Sequence, residues 1–311
     1  MSWDSASGVS ALTGLGPIET NLLTTYGAVG ALSDGSFLKN ARILEVLDDA
    51  HQIAPLFGYR VLCDLARPYV SHLRLVDFNG NYGSPDFSEA SARYTESRLT
   101  TLGDVALDAE NARCPAVPIG LVNGTTHVDG PMPPFDPGRV VAALVAANDG
   151  ASDEELIATI GLPSLPTGCA VIADLARFAS GEPTELRLEA RIESVHDTIL
   201  HISRLPPRSS SSDIGTAIER MARGSHASAD FPIADVNDAS QRGETLIVVR
   251  VLDGADTPAV VRNLTAVWGV HRTMKVKLGR PLPTLLRAWL ADHGTNDLPG
   301  QLAPIVASTG N

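Results

Sequence analysis

Several residue types are scarce in this 311-residue chain. Aromatic side chains make up 5% of the residues, so the core has to be mainly aliphatic. The three cysteines, Cys63, Cys114 and Cys169, are far apart and odd in number, which predicts neither a disulfide framework nor a zinc site. That cysteine usage is typical of a reducing cytoplasm. The sequence also lacks an apolar run of 18 residues and a basic-then-apolar start, so we predict no membrane span and no signal peptide.

Motifs of several common enzyme classes are missing too. The chain contains no G-x-x-x-x-G-K-[ST], no D-x-D pair, no G-x-S-x-G and no H-E-x-x-H. Its eight histidines form no cluster with metal-ligand spacing. The net charge of −12 by itself argues against a nucleic-acid-binding protein. A basic stripe can nevertheless lie on an acidic body, so the total charge does not decide the matter.

The apolar pattern predicts helices in the front of the chain. Residues 38–50 place Ile43, Leu44 and Leu47 on one face of a helix, and a second short helix follows in YRVLCDLA (59–66). Two helices separated by a short break are compatible with a helix-turn-helix element and equally with any helical hairpin. After them, alternation in 73–78 predicts a strand, and Asn-Gly-Asn turns the chain.

The back of the chain is richer in predicted strands. Four strands are predicted in CAVIADL, TELRLEARIESV, TILHISRLP and TLIVVRVLD, and IGLVNG (119–124) is predicted to be a buried strand. Helices are predicted to begin at Asp136-Pro137, at the capping box of Ser152, and after the serine run 209–212. We therefore predict an α+β fold, with a change from an α-rich front to a β-richer back near 102–118.

One of the five tyrosines stands in an unusual context, Arg93-Tyr94-Thr95-Glu96, before a predicted helix. In isolation, Tyr94 is an aromatic side chain packed where a loop meets that helix. Its neighbours change this interpretation. LVDFNGNYGS (75–84), ARYTESRL (92–99), GLVNG with MPPFDPGRVVAALV (120–145) and EELIATIGLPSLPTG (154–168) occur in an order that resembles the breakage-reunion core of bacterial type IIA DNA topoisomerase A subunits.

The resemblance runs from about residue 20 to about residue 294 and implies a domain organisation. Residues 17–102 would form a winged-helix DNA-gate domain that ends in the Tyr94 segment. Residues 103–294 would form a tower-like α+β domain, and 1–16 and 295–311 would be flexible tails. The family continues into a coiled-coil exit gate and, in gyrase, a β-propeller, and we expect neither in this divergent, truncated version.

The resemblance also implies a chemistry for Tyr94. In the family, the tyrosine of R-Y-T-E attacks a DNA phosphodiester and forms a 5′-phosphotyrosyl bond, with the preceding arginine beside the phosphate. These roles fall on Tyr94 and Arg93. A phenol with a pKa of about 10 needs a nearby cation to react as the phenolate. We expect this chain to bind no metal or cofactor itself, and Mg²⁺ and ATP to enter only through a B-type partner subunit.

The expected DNA contacts lie on both sides of the tyrosine. LKNARIL matches the family's K-S-A-R, and HQIAPLFGY stands where the family has His-Pro-His-Gly-Asp. The loop NGTTHVDGPMPP is about four residues shorter than the family's DNA-bending wedge. The candidate DNA-binding residues are Lys39, Arg42, His51, Arg60 and Val128.

Two functions remain open at this point. The first is an enzyme subunit that cleaves and rejoins DNA together with a B-type subunit. The second is a catalytically degenerate homologue that modulates a gyrase or topoisomerase IV by binding DNA or the full-length A subunit, as the altered histidine motif indicates. Either function predicts a cytoplasmic protein that forms a homo- or heterodimer, with DNA as a partner and without a membrane.

Overall fold

The computed structural model describes residues 10, 13–127, 130–223, 231–241, 244–293 and 297–309. Helices and antiparallel sheets alternate along the chain, as predicted for a mixed fold. The helices are α1 (Pro17–Val29), α2 (Asn40–His51), α3 (Pro55–Ala66), α4 (Thr101–Glu110), α5 (Ile119–Asn123), α6 (Pro137–Asn148), α7 (Asp153–Ile160), α8 (Leu175–Ala179), α9 (Ser211–Arg223), α10 (Thr257–Leu264), α11 (Leu282–His293) and α12 (Leu298–Thr309).

The strands are short and pair antiparallel. They are β1 (Leu38–Lys39), β2 (Val76–Asn79), β3 (Glu96–Leu99), β4 (Thr125–His127), β5 (Gly130–Met132), β6 (Ala170–Ile172), β7 (Thr184–Glu189), β8 (Arg191–His196), β9 (Ile199–Ser203), β10 (Ile233–Asp238), β11 (Leu246–Val251) and β12 (His271–Val276). The larger sheets run in the order β10-β11-β9-β8 and β12-β7-β6, and β4 pairs with β5.

The front of the chain is a three-helix unit with a small sheet. Its elements follow the order α1, β1, α2, α3, β2, β3, and the sheet order is β1-β3-β2. Helix α2 buries Ile43, Leu44 and Leu47, as its helical spacing predicts. Helix α3 begins at Pro55, which suits a first helical position because proline's missing N–H is not needed there. A 3₁₀ turn over Ala92–Tyr94 leads into β3.

The buried apolar side chains form two clusters. The first extends from the front unit through α6, α7 and β7 to α11 and α12. The second fills the space between α9, α10 and the four-stranded sheet, with Leu200, Ile202, Ile247 and Val249 fully buried. Residues from both sides of 102/103 belong to the first cluster.

The structure corrects three expectations from the sequence. IGLVNG forms helix α5 rather than a strand, because a short apolar run does not distinguish a buried strand from a buried helix. Tyr94 is followed by strand β3, not directly by a helix. The predicted tail 295–311 instead contains helix α12, whose Leu298, Leu302 and Ile305 are buried at helical spacing. None of the helices in the described ranges is long and apolar enough to span a bilayer.

Candidate active site around Tyr94

Tyr94 is exposed at the point where the chain turns from the surface into the core. It is the last residue of the 3₁₀ turn, and its backbone N–H donates to the Ser91 carbonyl at 2.8 Å. Its side chain is 66% exposed, whereas Thr95 is completely buried. The phenol therefore projects from a segment whose next residue is fixed inside the protein.

Asn40, the first residue of α2, holds Thr95 in two ways. The backbone N–H of Asn40 donates to the Thr95 carbonyl at 3.1 Å, and its Nδ2 donates to Thr95 Oγ1 at 2.8 Å. The Tyr59 hydroxyl lies 2.9 Å from the same Oγ1. These contacts place the N-terminus of α2 directly beside the Tyr94 turn.

The same asparagine joins a larger buried hydrogen-bond network. Its amide also bonds the Tyr82 hydroxyl and the Ser97 hydroxyl, and Ser97 in turn contacts the Tyr26 hydroxyl. Burial raises the pKa of Tyr26 and the pKa of Tyr82, so both phenols stay neutral hydrogen-bonding groups at physiological pH. The Tyr94 turn thus rests on a buried polar layer with paired donors and acceptors.

Gly80 is needed where β2 turns back toward this layer. Its φ is +109°, a backbone conformation that favours glycine. An added Cβ would stand 3.3 Å from the Tyr94 carbonyl oxygen and 3.3 Å from the Thr95 methyl carbon. The N-G-N turn identified in the sequence therefore allows the loop to approach the backbone of Tyr94.

Of the predicted cationic residues, Arg93 lies next to the Tyr94 ring, and Lys39 is paired with Glu96, two residues beyond Tyr94. The guanidinium carbon of Arg93 is 5.2 Å from the centroid of the Tyr94 ring. Lys39 precedes Asn40, and its Nζ lies 2.9 Å from Glu96 Oε1. Hydrogen bonding and charge from Lys39 lower the pKa of Glu96. Arg93 and Lys39 therefore flank the turn, together with the positive end of the α2 dipole.

The other predicted DNA-binding residues are more scattered. Arg42 is exposed in the first turn of α2. His51 is the last residue of α2 and lies roughly 16 Å along the helix axis from Asn40, at 1.5 Å per residue. Arg60 is exposed on α3. Val128 lies outside the described residues.

Sequence reasoning missed Asn40, although it stands inside the matched LKNARIL segment. The sequence shows only a polar residue at the start of a predicted amphipathic helix. Its hydrogen-bond partners lie 42 to 57 residues away, so the sequence does not indicate that this residue is buried and bonded. The structure also shows two large apolar side chains at the surface: Leu56 and Phe57 of α3 are 79% and 64% exposed. They occupy the stretch that stands in place of the family's histidine motif.

The residues around Tyr94 include no evident set of metal ligands. Across the described ranges, no group of three or more histidine, cysteine, aspartate or glutamate side chains is placed to hold a metal ion. What the site offers is an exposed phenol, an adjacent guanidinium, the Lys39–Glu96 ion pair and the N-terminus of α2. Such an arrangement suits an anionic phosphodiester, because cations and helix N-termini stabilise phosphate oxygens.

No family model matches the chain. The DNA gyrase A protein of Haloquadratum walsbyi is 27% identical over 91% of this chain and 36% of that protein. The A proteins of DNA topoisomerase 4 from Pseudomonas aeruginosa and Escherichia coli K12 are 28% and 25% identical, and each alignment covers 89% of this chain and 42% of the relative. The chain thus spans about two fifths of the length of the curated relatives that it matches.

Proposed function

We propose that this divergent relative of gyrase and topoisomerase IV A subunits binds duplex DNA across the face that carries Tyr94. Together with a B-type subunit, it cleaves and rejoins a DNA strand through Tyr94. The observation that carries the proposal is the exposed phenol of Tyr94, held on a turn that a buried network fixes, with Arg93 beside its ring.

The element order supports a DNA-binding fold. We assign the front unit as a winged helix, in which α2 and α3 form the helix-turn-helix and β2 and β3 form the wing. The sheet order β1-β3-β2, with β1 between α1 and α2, supports this assignment. We assign the region with the second apolar cluster as the tower-like part of the family's core.

The proposed reaction is a transesterification that exchanges one ester for another. Tyr94 Oη forms a bond to the DNA phosphorus while the bond to the 3′-oxygen of the neighbouring nucleotide breaks. The phenol proton passes to solvent, and the leaving 3′-oxygen takes up a proton to become a hydroxyl. Arg93 stabilises the charge on the phosphoryl oxygens. Because the phosphotyrosine ester is retained, the reverse reaction rejoins the strand without an external energy source.

The reaction also needs a metal ion and, for the full cycle, a nucleotide, and neither is assigned to residues of this chain. We propose that Mg²⁺ and ATP act through the B-type partner, and that the two subunits form a dimeric assembly on DNA. Within this chain, Lys39 and Arg42 contact the DNA backbone next to the cleaved phosphate, and His51 and Arg60 contact it further along the helices.

A covalent-complex assay tests the proposal. The chain, a B-type subunit from a relative, Mg²⁺ and supercoiled plasmid are incubated and then denatured, and protein-linked DNA is measured. Wild type should form a covalent complex, Tyr94→Phe should form none, and both should bind DNA equally. Tyr69→Phe is the control, because it removes the hydroxyl of a different tyrosine. Equal amounts of protein-linked DNA in wild type and Tyr94→Phe would refute the proposal.

The exposed pair Leu56 and Phe57 favours a second candidate function. Apolar side chains at the start of α3 suit a protein partner better than the charged DNA backbone. We infer as the alternative that the chain modulates a full-length gyrase or topoisomerase IV by binding its A-type protein. Added to a reconstituted gyrase, the chain should then inhibit supercoiling, and Leu56→Ser with Phe57→Ser should abolish inhibition while leaving the fold intact. Unchanged supercoiling at excess chain would exclude this alternative.

A further inference from the structure

The loop that leads to Tyr94 is attached to a helix more than 120 residues away in sequence. Asp86 Oδ1 accepts a hydrogen bond from Ser210 Oγ at 2.7 Å and from the Ser212 backbone N–H at 3.1 Å. Asp86 Oδ2 lies 3.0 Å from Ser211 Oγ. The carboxylate thus spans the beginning of α9, which packs over the second apolar cluster.

A tight turn at residues 83–87 directs the Asp86 carboxylate toward the beginning of α9. Ser84 Oγ accepts from the backbone N–H groups of Asp86 and Phe87 at 3.2 and 3.1 Å, and the Ser84 N–H donates to the Phe87 carbonyl at 2.8 Å. Gly83 adopts a φ of +80°, and an added Cβ would stand 2.8 Å from that same carbonyl. This tight turn leaves Phe87 75% exposed, so packing of the Phe87 ring does little to hold the loop.

The contact joins a negative charge to the positive end of a helix. Ser210 Oγ accepts from the Asp213 N–H at 3.1 Å, so Ser210 caps α9 while its hydroxyl donates to Asp86. A carboxylate at a helix N-terminus is favourable both for its hydrogen bonds and for the dipole. Asp238 Oδ2 lies 2.7 Å from Ser211 Oγ and is the second carboxylate at this helix end.

The second attachment of the loop is close to α3. Arg67 Nη2 donates to Glu89 Oε2 at 2.7 Å, and the Arg67 Nε donates to the Tyr82 carbonyl at 2.7 Å. The segment between Tyr82 and Tyr94 is therefore held at the front by Arg67 and Asn40, and at the back by α9. Among the residues that the structure describes, loss of Asp86 would leave the contacts of this segment with the front unit, which include the hydrogen bond from the Tyr59 hydroxyl to the Ala90 carbonyl.

We propose that Asp86 is a positioning residue for Tyr94, and that through it the unit built on the second apolar cluster sets the position of the Tyr94 segment. The proposal rests on the proposed function, because it assigns Asp86 to the cleavage step. In this role Asp86 acts through its contacts with residues 210–212 and not through a DNA contact of its own. Loss of the contact therefore lowers the rate of cleavage while DNA affinity stays the same.

Hydrogen exchange and cleavage, measured on the same full-length variants, test this role. Asp86→Ala removes the acceptor, and Asp86→Asn keeps the side-chain size and one acceptor oxygen. We expect protection of the hydrogen-bonded amides between 84 and 94 (Ser84, Asp86, Phe87, Ala90 and Tyr94) to fall about tenfold or more in Asp86→Ala, since hydrogen bonds to a charged group are lost, and to fall less in Asp86→Asn. The rate of covalent-complex formation should fall in the same order, with the Kd for DNA within about twofold of wild type.

Two further variants separate positioning from simple capping of α9. Asp213→Asn removes one charge from the first turn of the same helix without touching the loop, so it should leave amides 84–94 and cleavage unchanged. Ser210→Ala removes a donor from the opposite side. Combined with Asp86→Ala, it should add little to the loss of loop protection, because residues in one contact act non-additively.

Wild-type protection of the loop in Asp86→Ala overturns the proposal, as does a loss of cleavage that a matching loss of DNA affinity explains. A similar loss in Asp213→Asn also overturns it, because α9 capping would then be the cause. If wild type forms no covalent complex, the proposed function fails, and the exchange of amides 84–94 alone decides whether Asp86 holds the segment.

Discussion

At the scale of single residues, Asn40 connects the start of α2 to the strand that follows Tyr94. Asn40→Ala should lower the free energy of unfolding by about 2–4 kcal/mol, because the buried hydroxyls of Thr95, Tyr82 and Ser97 would lose a partner. Urea denaturation measures the change. Arg42→Ala, on the exposed face of the same helix, is the control and should change stability by less than about 0.5 kcal/mol. Equal effects of the two substitutions would contradict the assigned role of Asn40.

The sequence is informative about Tyr94 and much less so about the residues that hold it. Tyr94 and Arg93 stand out because a contiguous motif contains them and flanking motifs follow in a fixed order. Asn40 and Asp86 find their partners through tertiary contacts across 55 and 124 residues. Such long-range pairs leave no periodic pattern in a single sequence, so only the folded chain reveals them.

At the scale of elements, α4 packs tightly on the sheet beside the Tyr94 segment through Gly103. An added Cβ there would stand 2.2 Å from the Leu75 carbonyl oxygen, which belongs to backbone and cannot rotate away. Gly103→Ala should therefore destabilise the protein by about 1–3 kcal/mol. In α9, Gly215 meets only Val236 at an ordinary 3.8 Å, so Gly215→Ala should stabilise by about 0.4–1 kcal/mol. Thermal denaturation of both variants should show midpoint shifts of opposite sign.

Lys39, which directly precedes α2, should contribute one of the phosphate contacts of the chain. Lys39→Ala should reduce the slope of log K for DNA against log salt by about 0.9, whereas Lys277→Ala should leave it unchanged. Glu96→Gln frees Lys39 from its exposed ion pair and should raise DNA affinity by up to about fivefold. Fluorescence anisotropy at several salt concentrations measures both. A slope that stays the same in Lys39→Ala would remove Lys39 from the DNA interface.

Elements with a long, regular apolar period were predictable, and short or terminal ones were not. Helices α2 and α3 follow from helical spacing and proline placement, and the capping box at Ser152 is formed as predicted. Helix α5 has five residues, fewer than two turns, so its apolar pattern does not identify it. Helix α12 was missed because it contains Pro304 and follows a polar segment, features that are typical of a loop.

At the scale of the whole molecule, the two apolar clusters predict two cooperative units. Ile247→Ala in the second cluster and Leu47→Ala in the first should each remove about 2–5 kcal/mol of local stability. Hydrogen exchange should show loss of protection in β9 and β11 for the first variant and in α2 and α3 for the second. If either substitution lowers protection throughout the chain by the same factor, the molecule unfolds as one unit instead.

Tyr26, Tyr59 and Tyr82 are buried and Tyr69 is half-buried, which sets the exposed Tyr94 apart from the other tyrosines. Desolvation raises the pKa of Tyr26, Tyr59, Tyr69 and Tyr82, while Tyr94 stands in solvent. The same contrast in exposure makes Tyr94 the preferred target for nitration or iodination, so one phenol of the folded chain can be labelled and followed spectroscopically as DNA binds.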